Sequence, residues 1–469
     1  MQPIIEEIPY YLEGEKVYEV FQNDAYSFLL DSGIVHHNLG RYSFVGSEPF
    51  LVFRSQGFRC NIQYLQGRAY YVNKNPFTCL HELVNEYKEH SLTELPLIGG
   101  GAVGYMSYDM GRCLEKLPYK IPDDIGIPEC LMAFYDCGVI IDHLHERTYV
   151  FSTGLPWRGK EKEKHRDQRF RELFGRIKNL RDLSFHNSEQ ARNTGRDLRA
   201  NFSKESYLSA VNKALDYIGR GDIYQVNLTQ RFEARLDSSP WELYKRLKSL
   251  NPSPFASFLN FPEVTVVSSS PERFLRQEGT KMETRPIKGT RPRGRTSDED
   301  YALRQELWES SKDQAELVMI VDLERNDLSK ICKTGTVKVP ELFTLEEYAT
   351  VHHLVSTVEG ELAPESSVID VLQASFPGGS ITGAPKIRAM EIIEELEPVR
   401  RGIYTGSIGY IDFNGHADLN IVIRTIIIKN NRVFFQVGGG IVADSSPQAE
   451  YQETLDKAKA LLGALGFEY

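Results

Sequence analysis

Lys288 stands in the segment ETRPIKGTRPRG, with Arg285, Arg291, Arg293 and Arg295 close by in the chain. A lysine amine is a nucleophile only when neutral, and from an ordinary pKa of about 10.4 neutrality at pH 7 costs roughly 4.6 kcal/mol. Neighbouring cations reduce that cost, which is one way a protein arms an amine for covalent chemistry. Without context the same segment reads as a basic surface turn. Arg424, in IVIRTIIIK, offers fixed charge instead. Alternation puts it on one strand face with Val422, Ile426 and Ile428, while Ile421, Ile423 and Ile427 take the other. A guanidinium there needs a partner, because an unpaired buried charge costs several kcal/mol. That partner is either an internal carboxylate or a carboxylate ligand gripped in bidentate fashion.

Acids recur at helical spacing. Asp313, Glu316, Ile320 and Leu323 fall at i, i+3, i+7 and i+10, so both carboxylates share a stripe that faces the core. Glu450, Glu453 and Lys457 repeat the spacing in the last helix. Four convergent carboxylates suit Mg²⁺, which takes oxygen ligands and keeps several waters. Taken alone, Glu453 and Lys457 are a surface i, i+4 pair. GGGAVGY, PGGSITGAP and VGGGIVADS read as glycine-rich turns offering N–H groups, and Pro385 marks a helix start suited to an anion.

Other motifs drop out. Gly99, Gly101 and Gly104 match G-x-G-x-x-G but lack the strand before and the helix after that a dinucleotide site needs. Gly378 and Gly383 have P-loop spacing, yet Ala384 and Pro385 follow where Lys and Ser or Thr are required. Cys113 sits in half of a G-x-C-x-G nucleophile turn whose second glycine is missing, so a buried structural thiol is expected. His352 and His353 are adjacent and point in different directions on any regular element, which argues against a metal pair.

These residues need elements to hold them, and 469 residues are ample. The stretch 1–157 reads mostly as short strands with a helix near Leu80 to Glu89. A charged helix and linker occupies 158–200. The stretch 201–469 mixes helices at Ser203 to Ile218, Trp241 to Leu247, Asp298 to Arg325, Pro385 to Leu396 and Pro447 to Leu462 with runs of adjacent strands. Such runs imply antiparallel sheets with helices outside, an α+β fold. A hydrophobic content of 41% argues against disorder. The net charge of -10 argues against a nucleic-acid or anionic-membrane partner. Six cysteines without a C-x-x-C pair suggest a reduced set. The start of the sequence has no basic and apolar leader pattern and no run of about 18 apolar residues occurs, so a cytoplasmic location is expected.

Taken in order, GDIYQVNLTQRF, SSSPERFL, ETRPIKGTRPRG, ELVMIVDLERNDL, HHLVSTVEG, GGSITGAPKIRAMEII, RRGIYTGSIGY, IVIRTI and GGGIVADSSPQAEYQET resemble the chorismate-binding enzymes. These include anthranilate synthase component I, aminodeoxychorismate synthase component I, and the isochorismate and salicylate synthases. The resemblance is dense over 201–462 and extends through LLDSG, LGRYSFVG and GAVGYMSYD. It implies two antiparallel sheets packed as a sandwich flanked by helices, with the N- and C-terminal regions interleaved. It further implies Mg²⁺ held by Glu316 and Glu453, with Asp313 and Glu450 supporting through water; the family usually has Glu where Asp313 stands. Arg424 and Tyr404 match the grip on the enolpyruvyl carboxylate, while Lys457 and the amides of Gly438, Gly439 and Gly440 match the ring-carboxylate side. Glu272 matches the general acid, and His353 and Ser380 match residues lining the ring. Hydrating members carry lysine where Gln225 stands, and anthranilate synthases typically read PIAGT where this chain reads PIKGT. Lys288 therefore points to the branch that aminates chorismate with ammonia to 4-amino-4-deoxychorismate for folate synthesis, with anthranilate formation as the alternative. Because no amidotransferase triad is visible, a separate glutaminase subunit is implied as the ammonia source. Ser32, Arg41, Asn251, Pro252, Ser253, Pro254 and Phe255 resemble the family's tryptophan pocket; simple core and turn roles remain the other reading.

Overall fold

The computed structural model of the chain describes residues 2–34, 39–65, 67–88, 95–118, 121–180, 197–348 and 351–467. Two antiparallel sheets of twelve strands each make up the centre. The first begins with five strands from before residue 181, and its strand Ser27–Asp31 pairs directly with Phe255–Phe261 from the later part of the chain. The second joins the two parts where Gly101–Met106 pairs with Ser407–Asp412. Of the charged stretch 158–200, Gly159–Ile177 is a helix that buries Phe170, Leu173 and Ile177, whereas residues 181–196 lie outside the described residues.

The sheets face each other across a core that includes Phe28, Leu259 and Val266 from the first and Val103, Tyr105 and Leu131 from the second. Face-to-face packing of this kind follows from alternation, which gives each strand one inward apolar side. The outer faces carry helices. Pro240–Leu250 and Pro447–Ala464 cover the first sheet, while Pro76–Glu86, Ser311–Ser329 and Val368–Ser375 cover the second. Local signals set their starts: the side chains of Asn75, Ser203, Ser239, Thr296 and Ser310 each accept a hydrogen bond from the first helical turn. No helix among the described residues is long and apolar enough to cross a membrane.

Three expectations need correction. The long helix from Asp298 to Arg325 is two helices, Ser297–Glu309 and Ser311–Ser329, because Ser310 leaves helical geometry and caps the second through its hydroxyl. GGGAVGY and VGGGIVADS are largely strand, in Gly101–Met106 and Arg432–Ile441, rather than turns. Their glycines admit close neighbours: a Cβ on Gly104 would lie 2.0 Å from the Leu131 carbonyl oxygen. Finally, IVIRTIIIK is not one strand. His416–Asn420 belongs to the second sheet and Thr425–Lys429 to the first, so residues 421–424 cross between them.

Candidate functional site

The chain passes between the sheets at another place too. Val264–Ser270 lies in the first sheet and Arg273–Glu278 in the second, so Glu272 occupies a crossover, as Arg424 does. The two crossovers are bonded together: the Ile421 amide donates to the Glu272 carbonyl at 3.0 Å, and the Ser269 amide to the Arg424 carbonyl at 3.1 Å. Residues at crossovers escape the alternation that fixes strand side chains, so they can aim charge at the end of the sandwich.

Arg424 has φ +50°, in the left-handed region. Its Nη1 donates to Asn251 Oδ1 at 2.5 Å, and among the described residues no carboxylate oxygen lies within 4 Å of it. An internal salt bridge is therefore not its partner; the neutral amide leaves the positive charge available to an anion. Tyr404 is held alongside, because Thr405 N donates to the Val422 carbonyl and Val422 N to the Gly406 carbonyl. Burial raises the pKa of Tyr404 and keeps the phenol neutral. His353 is buried, and its Nδ1 is hydrogen-bonded to Thr290 Oγ1 at 2.8 Å. Burial first, and the nearby Arg424 charge next, push it down to about 3, so the ring is a neutral imidazole. His352 points elsewhere, with Nε2 3.0 Å from Asp300 Oδ1.

Lys288 is half-buried on Ile287–Pro292, and its Nζ donates to the Ser380 carbonyl at 3.2 Å. Burial lowers its pKa, against the charges of Glu316 and Glu272. Glu272, 5% exposed, is shifted the other way: burial raises its pKa against Ser380 and Lys288. Low dielectric thus favours the neutral amine beside the neutral acid, which carry together as many protons as the charged pair. The surrounding arginines of the sequence segment are not the cause. Arg285 pairs with Glu346, Arg291 with Glu306 and Asp313, and Arg293 with Asp300.

The acids converge in part. Glu450 and Glu453 meet over Gly439, where a Cβ would lie 3.1 Å from Glu450 Oε2 and 3.2 Å from Glu453 Oε1. Ser445 donates to Glu450 Oε1 at 2.6 Å, while Glu450 Oε2 is buried without a partner among the described residues. Glu316 feels the charges of Lys288, Lys312, Asp313 and Glu453, and burial raises its pKa. Asp313, by contrast, accepts from Arg291 Nη2 at 3.2 Å. The buried stripe of its helix runs through Leu317, Ile320, Val321, Glu324 and Leu328, so Asp313 and Glu316 flank the core rather than face it. Among the described residues no three acidic, histidine or cysteine side chains close into a ready cage. The oxygen-only set of Glu316, Glu450 and Glu453, with one orphaned oxygen and a cradle free of Cβ, still fits an ion that takes few protein ligands directly. Lys457 bridges Glu453 Oε1 at 2.7 Å and the Gly438 carbonyl at 2.8 Å.

Gln225 begins Gln225–Arg235, which pairs with the glycine strand; Asn227 stands opposite Gly440. The Gln225 side chain is fully buried, with neither Nε2 nor Oε1 partnered among the described residues, and lies where a Cβ on Gly440 would come within 2.6 Å of Nε2. Ser380 lies in the short Gly379–Ile381 turn, fixed by Arg401 Nη1 donating to the Ile381 carbonyl at 2.8 Å and Asn227 N to the Thr382 carbonyl at 2.7 Å. Sequence reasoning missed Thr290 beside His353, Arg291 beside Asp313 and the buried Glu324. Each depends on a partner far along the chain that carries no local signal.

A separate cavity of about 770 Å³ is lined by Ser32, Arg41, Pro254, Phe255, Tyr410 and Asn420, among others. Asn251, Pro252 and Ser253 are not part of its lining. Asn251 and Ser253 instead bind the Ser269 carbonyl, at 3.2 and 2.8 Å, and Asn251 also holds Arg424.

Interleaved antiparallel sheets with a charged cluster at their crossovers define an α+β sandwich of the anthranilate synthase type. The crystal structure of anthranilate synthase component I from Streptococcus pneumoniae TIGR4 matches it with TM-score 0.78 and 34% identity, covering 91% of this chain and 93% of that one. The family model for chorismate binding enzyme matches residues 36–463, and the chain belongs to that family of chorismate-using enzymes. Anthranilate synthase component 1 of Acetivibrio thermocellus is 40% identical over 454 residues, 96% of this chain and 92% of the relative. Aminodeoxychorismate synthase component 1 of Escherichia coli K12 is 39% identical over 442 residues, 94% and 93%.

Proposed function

We propose that the chain converts chorismate and ammonia to 4-amino-4-deoxychorismate, the reaction of aminodeoxychorismate synthase component 1. The observation that carries this reading is Lys288, an amine with a lowered pKa set beside the raised acid Glu272. Arg424 and Tyr404 would hold the enolpyruvyl carboxylate, and Lys457 with the Gly438–Gly440 strand the ring carboxylate. Glu316, Glu453 and Glu450 would hold Mg²⁺, which when bound neutralises carboxylate charge. Neutral Lys288 attacks C2, the ring double bonds shift, and the C4 hydroxyl leaves as water with the proton of Glu272. Ammonia then forms a bond to C4, the double bonds shift back, and the C2–nitrogen bond breaks to release the lysine. Splitting one displacement into two lowers each barrier. Gln225, an amide where a base for water would stand, disfavours hydration. The ammonia would come from a glutaminase subunit, and the expected setting is cytoplasmic folate synthesis.

The names of the relatives divide between two reactions, and the test separates them. Purified protein is incubated with chorismate, Mg²⁺ and ammonium salt at alkaline pH. A product that keeps its enolpyruvyl group and is converted by an added lyase to p-aminobenzoate supports the proposal. Fluorescent anthranilate with released pyruvate would overturn it.

A further inference from the structure

One buried cation behind the site touches no reacting atom in that scheme. Arg401 is fully buried, and each of its five N–H groups has an acceptor. Nε and Nη2 grip Glu397 in bidentate fashion, at 3.0 and 2.7 Å. Nη2 also donates to the Asn227 carbonyl at 2.7 Å, while Nη1 donates to the Ile381 carbonyl at 2.8 Å and to Thr405 Oγ1 at 3.4 Å. The ring of Tyr108 covers the guanidinium, with its centre 4.7 Å away. Glu397 is held from its other side, accepting from Thr229 N at 3.0 Å and from Thr229 Oγ1 at 2.9 Å. As a source of stability this is a poor choice, since a buried ion pair can often be replaced by apolar residues at little loss. What a planar fork of five donors supplies, and an apolar side chain does not, is fixed geometry.

The segments that Arg401 holds carry residues of the site. Asn227 lies two residues after Gln225 on Gln225–Arg235. Its amide donates to the Thr382 carbonyl at 2.7 Å, so Arg401, Ile381, Thr382 and Asn227 close a ring of bonds at the end of the Gly379–Ile381 turn. The Ser380 carbonyl of that turn is the acceptor of Lys288 Nζ, at 3.2 Å. Thr405 Oγ1 in turn donates to the Tyr404 carbonyl at 2.6 Å. We propose that Arg401 is a positioning residue: with Glu397 it locks the turn whose Ser380 carbonyl aims the Lys288 amine, and it steadies Tyr404 from the same point. The inference rests on Lys288 being the nucleophile of the proposed reaction.

The test is Arg401→Lys in the full chain. A lysine keeps the charge beside Glu397, but its three donors share one nitrogen and cannot span both carbonyls. Two readouts are taken where circular dichroism shows the variant folded. Competitive acetylation with acetic anhydride across a pH series, read by peptide mass spectrometry, gives the pKa of Lys288 in the ligand-free protein, whatever reaction the protein catalyses. That pKa should fall by about half a unit or more, because a carbonyl accepting from the amine favours its charged form. The kcat for chorismate consumed with Mg²⁺ and ammonia should fall by about a hundredfold, as expected for a misplacement of about 1 Å. A merely structural role would lower Tm and move neither readout, and either one unmoved would overturn the proposal. If the unaltered protein consumes no chorismate, the reaction is wrong, and the acetylation result alone decides on the brace. Should Arg401→Lys fail to fold, Arg401→Met combined with Glu397→Gln removes both charges and keeps an acceptor for Thr229, and the same readouts apply. Failure of that variant to fold as well would assign the pair to the fold and overturn the proposal.

Discussion

Replacing Arg424 by methionine should leave the fold at least as stable while removing most of the activity. The change deletes one hydrogen bond from a charged donor to Asn251, a loss of about 1.5–3 kcal/mol. It also deletes a half-buried guanidinium that no carboxylate of the described residues compensates. Full desolvation of such a charge costs several kcal/mol; with partial solvent contact about 2–3 kcal/mol is appropriate. Methionine adds about 1 kcal/mol of apolar burial, and the net is about 0 to +2 kcal/mol. For 469 residues at about 2.1 cal/mol/K each, 1 kcal/mol is about 1 °C, so Tm should rise by no more than about 2 °C. Losing a charged grip on a substrate carboxylate costs about 2–5 kcal/mol, or roughly 30- to 5,000-fold in kcat/KM for chorismate. Thermal unfolding of the ligand-free protein and steady-state kinetics read the two effects separately. A Tm drop of more than about 5 °C with kcat/KM hardly changed would refute the reasoning, since Arg424 would then be serving an internal anion.

Lys288→Ala should lose most ammonia-dependent turnover without unfolding, and Lys288→Arg should not rescue it because a guanidinium stays protonated; full activity in either would remove the nucleophile. Gly439→Ala puts a methyl 3.1 and 3.2 Å from the oxygens of Glu450 and Glu453, and calorimetric titration should show Mg²⁺ affinity lowered by about tenfold. Glu324 has a folded pKa above its unfolded value, so its stabilising contribution is complete below about pH 4.5 and is lost as pH rises towards about 8. Denaturant unfolding of Glu324→Gln should therefore gain on the unaltered protein across that window, by about 2–4 kcal/mol; parallel curves would show a carboxylate already ionised.

The sheets, the outer helices and the pairing of acids with a lysine on the last helix were legible because period and spacing carry them. The acid stripe on Ser311–Ser329 was legible only approximately, since Glu324 takes the inward place that apolar patterning reserves for a hydrophobe. IVIRTIIIK misled for a physical reason: every residue from 421 to 428 except Arg424 and Thr425 is a branched aliphatic, which fits a continuous strand as well as a passage between two sheets. Thr425–Lys429 pairs with its neighbour Arg432–Ile441 on one edge and with Val264–Ser270 on the other, and the members of that second pairing are about 160 residues apart, so it leaves no local signal. The low pKa of Lys288 was expected from nearby arginines, yet those are matched by Glu346, Glu306, Asp313 and Asp300 from other elements.

Shared sheets also impose an order on synthesis. Gly101–Met106, buried along its whole length, pairs on one edge with Cys130–Tyr135 but on the other waits for Ser407–Asp412, and Ser27–Asp31, paired early with Tyr42–Gly46, waits on its other edge for Phe255–Phe261. A ribosome adding about 5–20 residues per second delivers the later strand of the second sheet about 15–60 s after the earlier one. Throughout that interval the nascent chain carries an apolar strand with an open edge, the feature most prone to pairing with the wrong chain. Expression yield should therefore depend on translation speed and on holdase chaperones more steeply than the stability of the finished protein would suggest.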